Sequence, residues 1–140
     1  IDDAFDRYLG VGKPAYVDRY RLSPERCVEV IRCAGGAAVL AHPVSLKLSR
    51  AHLDALVARL VRVGLAGIEV YYPEHGRGQT TAFRKLAESH GLVATGGSDF
   101  HGPRINPDIR LGRGFGRLGV PDDAVDRLLE RCDAAVAAVG

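Results

Sequence analysis

The chain has 140 residues, 46% of them hydrophobic, which is enough for one packed domain and too little for two. Its 19 basic and 17 acidic residues nearly cancel, which argues against a protein that coats nucleic acid or a membrane surface. No apolar run approaches the roughly 18 to 20 residues of a membrane span, and the first residues do not resemble a signal peptide. Three cysteines without a CxxC pair favour a reduced, cytoplasmic protein.

The first half of the chain predicts two helices around a short strand. A helix from Pro24 to Ala34 has Ser23 as its N-cap and two glycines after its end. The apolar run AAVLAHP follows and is typical of a buried strand, ending at His42. A second helix begins after Ser49, because apolar residues recur there at i, i+3, i+4, i+7 and i+8. These residues are Leu53, Leu56, Val57, Leu60 and Val61.

The second half repeats the alternation of strand and helix. GIEVYYP predicts a second buried strand, and a helix is expected from about Gln79 to His90. LVATGG is the third predicted strand and leads into GGSDFHG, Gly96 to Gly102. A loop rich in glycine and arginine follows, and a last helix begins at Pro121. Its predicted buried stripe consists of Val125, Leu128, Leu129, Cys132 and Val136.

This order predicts an α/β fold in which about three parallel strands alternate with helices. The sheet is either open and doubly wound or part of a (β/α) barrel. In both architectures ligands bind at the carboxyl ends of the strands. Those ends carry His42, then Glu69 with His75, then Asp99 with His101. We therefore expect these side chains to meet at one site.

Asp99 and His101 are the most specific pair among these candidates. Residues i and i+2 of an extended segment point to the same side, so both are expected to face one site while Phe100 turns into the core. A carboxylate and an imidazole aimed together suit a divalent metal. An isolated DxH is more often a loop turn with a solvated histidine. The histidines near the other strand ends favour the metal site.

Two features leave alternatives open. Glu69 is as consistent with a barrel-interior acid paired to a cation as with a surface acid on an exposed strand face. The arginines between residues 104 and 117 serve solubility, or one or two of them bind phosphate through their planar guanidinium groups. Neither choice follows from the sequence pattern.

The ordered motifs GGAAVLAHP, GLAGIEVYYPEH and HGLVATGGSDFHG resemble the C-terminal half of the polymerase-and-histidinol-phosphatase (PHP) family of metal-dependent phosphoesterases. FDRYLGVGKPAYVDRY is similar to a linker in the branch that contains nucleoside 3′,5′-bisphosphate phosphatases and RNA 5′-end exonucleases. The resemblance implies that residues 1–22 are the end of a helical insertion and a linker. It implies that residues 23–140 are the C-terminal part of a distorted seven-stranded (β/α) barrel.

The same resemblance implies roles for individual residues. His42 matches a metal ligand, and Asp99 and His101 match catalytic ligands of two different metals. The complete cluster holds up to three divalent ions, and imidazole and carboxylate ligands suit Mn²⁺, Zn²⁺ or Fe²⁺. Three further residues are expected to contact the phosphate of the substrate: His75, Lys13 and Arg19.

The implied function is hydrolysis of a phosphate ester on a nucleotide or a short RNA end, with no membrane or stable duplex-DNA partner. The chain lacks the HxH motif that opens the family, and His42, Asp99 and His101 are about half the ligands a cluster needs. We therefore expect an inactive piece of a longer enzyme, whose N-terminal half completes the barrel. The alternatives are an amidohydrolase-like metal hydrolase fragment and a non-catalytic nucleotide-binding remnant.

Overall fold

A parallel three-stranded sheet lies at the centre of the structure, a computed structural model that describes residues 2–18 and 20–137, without the side chains of residues 2 and 133–137. The strands are β1 (Val39–Leu40), β2 (Gly67–Tyr71) and β3 (Val93–Gly96), in the spatial order β1-β2-β3. The α-helices are α1 (Asp2–Ala4), α2 (Pro24–Cys33), α3 (Arg50–Arg62), α4 (Arg77–Ser89) and α5 (Ala124–Ala137). A π-helical turn, Phe5–Leu9, follows α1, and a 3₁₀ turn, Pro43–Leu46, follows β1. The predicted alternation of strands and helices is confirmed.

The helices begin where their caps predict. Ser23 and Ser49 each accept a hydrogen bond from a backbone N–H of the first turn, at 3.2 and 3.3 Å, which satisfies one of its free donors. Helix α4 begins two residues earlier than predicted. Its N-cap is Gly76, whose N–H donates to the side-chain oxygen of Gln79 at 2.9 Å.

Strand β2 is the most buried element and carries the centre of the core. Ile68 and Val70 are fully buried and belong to one apolar cluster with residues of α3 and α4, including Val57 and Phe83. Strand β1 has only two residues, both partly exposed, so its predicted burial is only partial. Within the described residues β1 and β3 each pair on one edge only, which leaves their outer edges without a strand neighbour.

A β-bulge shapes the carboxyl end of β2. Glu69 pairs with Thr95 and Tyr71 pairs with Gly96, so the intervening Val70 has no partner on β3. Gly96 is required at this point because a Cβ there would lie 2.3 Å from the carbonyl oxygen of Tyr71. The Gly97 N–H also donates to the Tyr71 carbonyl at 3.0 Å, so the two strands stay close up to the segment that carries Asp99 and His101.

The predicted buried stripe of α5 is wrong at two positions. Val125 is 64% exposed and Leu129 is 55% exposed, whereas Ala124, at the start of the helix, is buried. The helix packs on α2 and β3 through a narrower face, because only one side of it meets the small sheet. The side chain of Val136 lies outside the described residues. None of the described helices combines the length and apolar character that a membrane crossing requires.

Replacing Ile68 by Ala should lower the free energy of unfolding by about 2–5 kcal/mol, because the cavity would lie in the fully buried middle of the sheet. Ile105→Ala is a matched control, since Ile105 is 74% exposed and should change stability by less than about 0.5 kcal/mol. Urea denaturation followed by circular dichroism measures both. Equal losses for the two variants would contradict the position of the core.

Candidate metal and phosphate site

Two of the candidate residues sit in strained backbone conformations. His42 has φ 99° and Asp99 has φ 53°, and among the described residues other than glycine only Lys47 also has a positive φ. This region costs an ordinary residue roughly 1–2 kcal/mol and is often found at functional sites. The strain lies just beyond the ends of β1 and β3, where both side chains turn toward β2.

Asp99 and His101 lie close together, but the backbone conformation that brings them there differs from the predicted one. Asp99 is left-handed, so the segment is not extended, and Phe100 is 36% exposed where it was expected in the core. The His101 ring folds back instead, and its Nδ1–H donates to the Asp99 carbonyl oxygen at 2.8 Å. Nδ1 then lies 3.6 Å from Asp99 Oδ1, and the lone pair of Nε2 is left available for a ligand.

Glu69 lies at the centre of the site and not on an exposed face. It is 8% exposed, and its Oε2 is 3.7 Å from His42 Nε2. Asp99 Oδ1 is 3.9 Å from the same nitrogen, so one imidazole faces two carboxylates, one from β2 and one from the segment after β3. Glu69 Oε2 is buried and has no hydrogen-bond partner among the described residues. A buried carboxylate oxygen without a hydrogen bond is costly, because it has lost its contact with water.

The electrostatics of Glu69 follow from this burial. Loss of water raises the pKa of its carboxyl above the ordinary value of 4.5. His42 opposes the shift and Asp99, a like charge, adds to it. The metal-free site therefore holds its negative charge at a cost.

Tyr72 was not among the predicted site residues, yet it connects three of them. Its O–H donates to Asp99 Oδ2 at 3.2 Å, and its ring centroid lies 5.1 Å from that of His42 and 5.2 Å from that of His75. Burial, followed by the charge of Asp99, raises the pKa of Tyr72 to about 12, so the phenol stays a donor at neutral pH. The one signal in the sequence was its place after GIEVY, beyond the strand end.

His75 lies on the other side of Tyr72, at the edge of a large cavity. Its Nδ1–H donates to the Val70 carbonyl at 2.9 Å, and its Nε2 is buried without a partner among the described residues. The cavity of about 990 Å³ is bounded by the β2–α4 loop, the first turns of α4 and the loop before α5. His75 is thus held by the bulged strand, and its Nε2 keeps an unused hydrogen-bonding position among the described residues.

The structure does not show the other two predicted phosphate-binding residues at this site. Lys13 is exposed in the N-terminal segment and makes no hydrogen bond or ion pair with the site residues that the structure describes. Arg19 lies outside the described residues. Both stay predictions.

The donors present suit one divalent cation in chemistry and spacing. Two donors that share an ion at about 2.1 Å each lie roughly 3 to 4 Å apart, and the His42–Glu69 and His42–Asp99 separations fall in that range. Among the described residues, however, no three His, Cys, Asp or Glu groups form a complete metal-binding arrangement. The described residues therefore supply donors of a suitable type and spacing, but fewer than a complete metal site needs.

No family model matches the chain, but its sequence is similar to those of several known proteins. It is 40% identical over 99 residues to a 3′,5′-nucleoside bisphosphate phosphatase of Chromobacterium violaceum, covering 71% of this chain and 35% of the relative. It is also 40% identical over 111 residues to the 5′-3′ exoribonuclease Rnm of Escherichia coli, covering 79% and 37%. The chain belongs to the PHP family of phosphoesterases. It spans about a third of the length of these PHP relatives.

Solved structures confirm the fold of the PHP segment. An amidohydrolase from C. violaceum, with bound sulfate and no metal, matches with a TM-score of 0.63 and 33% identity, over 95% of this chain and 47% of that protein. A candidate metal-dependent phosphoesterase from Bifidobacterium adolescentis matches with a TM-score of 0.66 and 27% identity, over 93% and 44%. The predicted α/β fold, three parallel strands alternating with helices as part of a larger fold, is confirmed.

Glu69→Gln should stabilise the metal-free chain at pH 7. Because the folded-state pKa of Glu69 is raised, the folded state holds the proton more tightly than the unfolded state, and stability is lost as the pH rises above 4.5. The glutamine side chain does not ionise, so the variant does not lose this stability. Its excess free energy of unfolding over the wild type should therefore shrink as the pH falls toward 4.5. Urea unfolding at both pH values, with a chelator, measures it.

The matched control for this measurement is Glu130→Gln, since Glu130 is exposed on α5. It should change stability by less than about 0.5 kcal/mol at either pH. A wild-type chain that is more stable than Glu69→Gln at pH 7 would show that the carboxylate is satisfied within the chain.

Proposed function

We propose that this PHP-family chain is part of a metal-dependent phosphoesterase that hydrolyses a phosphate ester on a nucleotide or an RNA end. The observation that carries the proposal is the buried oxygen of Glu69, which has no hydrogen-bond partner among the described residues and faces His42 beside Asp99 at the strand ends. Phosphoester hydrolysis needs positive charge against the phosphate and an activated water. This cluster attracts the cation that supplies both.

Four side chains are the proposed metal ligands. His42, Asp99 and His101 match family ligands in sequence, and Glu69 joins them through its position. Imidazole and carboxylate donors suit Mn²⁺, Zn²⁺ or Fe²⁺, and the complete domain would hold up to three ions. When bound, these ions would neutralise phosphate charge and acidify a water molecule.

Other residues of the chain hold the ligands and the substrate. Tyr72 donates to one oxygen of Asp99, which leaves the other directed toward His42 and His101. His75 is fixed by its bond to the Val70 carbonyl, so Nε2, when protonated, can donate to a phosphate oxygen.

The ligand count and the sheet edges support a larger enzyme. The described residues supply only part of a metal centre, and the chain matches about a third of its relatives. Strands β1 and β3 also have outer edges on which further strands of a barrel would pair. We propose that the rest of the barrel completes both, in a cytoplasmic enzyme, and that Lys13 and Arg19 contribute to substrate binding there.

Hydrolysis of a C–N bond is the second candidate, because one structural neighbour is described as an amidohydrolase. A metal with the same ligands also activates water for that reaction. The cavity favours the phosphoesterase, since its lining includes His75, Arg77 and Arg117 and no acidic residue. Assays on a phosphate ester and on an amide distinguish the two.

Asp99→Asn should lower the affinity for Mn²⁺ at least tenfold, because an amide keeps the shape but loses the ligand charge. Asp108→Asn is the control, since Asp108 is exposed in the loop that follows. Electron paramagnetic resonance of free Mn²⁺ measures binding to the chain. Release of phosphate from adenosine 3′,5′-bisphosphate by the longer enzyme measures turnover, which should fall by at least a thousandfold. Wild-type affinity and turnover in Asp99→Asn would overturn the proposed site.

His75→Ala should lower the affinity for inorganic phosphate about tenfold while leaving Mn²⁺ affinity within twofold, because His75 faces the cavity. His52→Ala serves as the control, since His52 is exposed on α3. Isothermal titration with phosphate and with Mn²⁺ separates the two effects. Loss of Mn²⁺ binding in His75→Ala would mean that this histidine is a metal ligand.

A further inference from the structure

The loop of residues 110–119 is built into one wall of the cavity beside His75. Arg110 and Gly114 form two backbone hydrogen bonds of 2.9 Å, which close a tight turn. The buried hydroxyl of Ser98, just before Asp99, accepts a bond from the Gly112 N–H at 3.1 Å. The position of the loop is thus tied to the residue next to the proposed metal ligand.

A second contact fixes the same loop against β2. Gly114 is buried, and a Cβ there would lie 2.7 Å from Pro73, so the turn packs directly on the strand end. Its φ of 54° is a further reason for glycine. The loop therefore has an ordered base, formed by Gly114, from which the next residues project.

The residues after Gly114 have side chains suited to binding a nucleotide. Phe115 lines the cavity and is 57% exposed, which leaves an aromatic face open to a ligand. Arg117 lines it too, as does Arg77 at the start of α4. Neither guanidinium has a hydrogen-bond or ion-pair partner among the described residues, and no acidic residue lines the cavity. A free planar cation next to an exposed ring suits a ligand with a second anionic group and a flat base.

The volume and position of the cavity suit the same ligand. About 990 Å³ is the upper end of the usual range for small-molecule sites. Tyr72 and His75 line the cavity, and Tyr72 also bonds Asp99, so a ligand here reaches the proposed metal centre at one end.

We propose that the loop of residues 110–119 presents two residues that determine substrate specificity. Arg117 pairs with a second phosphate that is not hydrolysed, and Phe115 packs on the base. This inference rests on the proposed function for the identity of the ligand as a phosphate ester. It assigns a role to the arginine-rich loop that the sequence pattern left open.

The test is isothermal titration of the chelator-treated chain with adenosine 3′,5′-bisphosphate and with adenosine 5′-monophosphate. The wild-type chain should bind the bisphosphate about tenfold more tightly, and Arg117→Ala should remove that preference. Arg113→Ala is the matched control from the same loop, since Arg113 does not line the cavity, and it should keep the preference. Phe115→Ala should weaken both nucleotides several-fold without changing the affinity for inorganic phosphate. Circular dichroism confirms that each variant is folded.

Equal wild-type affinity for the two nucleotides, or equal losses in Arg117→Ala and Arg113→Ala, would overturn the inference. These outcomes are independent of the proposed reaction, which depends on Asp99 and His75. A preference lost in Arg117→Ala alone would support the specificity loop even if Asp99→Asn still bound Mn²⁺ normally.

Discussion

The parallel pairing of β2 with strands on both of its edges is the constraint on which the site depends. Parallel strands place their carboxyl ends at the same edge of a sheet. His42 follows β1, Glu69 lies near the end of β2 and Asp99 follows β3, so residues up to 57 positions apart come within 4 Å of one imidazole. The fully buried Ile68 and Val70 hold this arrangement together from below. Strand β2 therefore carries both the centre of the core and one of the site carboxylates.

The free-energy costs of the structure are concentrated at this edge. His42 and Asp99 adopt left-handed backbone, and Glu69 keeps a buried oxygen without a partner among the described residues. A core of helices α3 and α4 on the sheet offsets these costs. A bound cation would remove the electrostatic part, because it would pair with Glu69 and Asp99 together. Local conflicts of this kind in an otherwise well-packed sheet are typical of functional sites.

Local signals predicted the helices well, and failed where packing partners decide burial. Ser23 and Ser49 are caps because a short side-chain oxygen reaches the first-turn N–H whatever surrounds the helix. The apolar spacing of α5 predicted a buried stripe, but Val125 and Leu129 are more than half exposed. Amphipathic periodicity identifies a face and does not show how much of that face the sheet can cover.

The sequence by itself determined the order of strands and helices and the residues near each strand end, because periodicity and capping act over a few neighbours. Only the tertiary structure decided which of those residues meet. It buried Glu69 against His42, placed Tyr72 between two histidines, and brought Asp99 to His101 through a left-handed turn in place of an extended strand. Such contacts depend on the bulge in β2 and on the distances between strands. Residues 25 or more positions apart set those distances, and no local sequence pattern contains them.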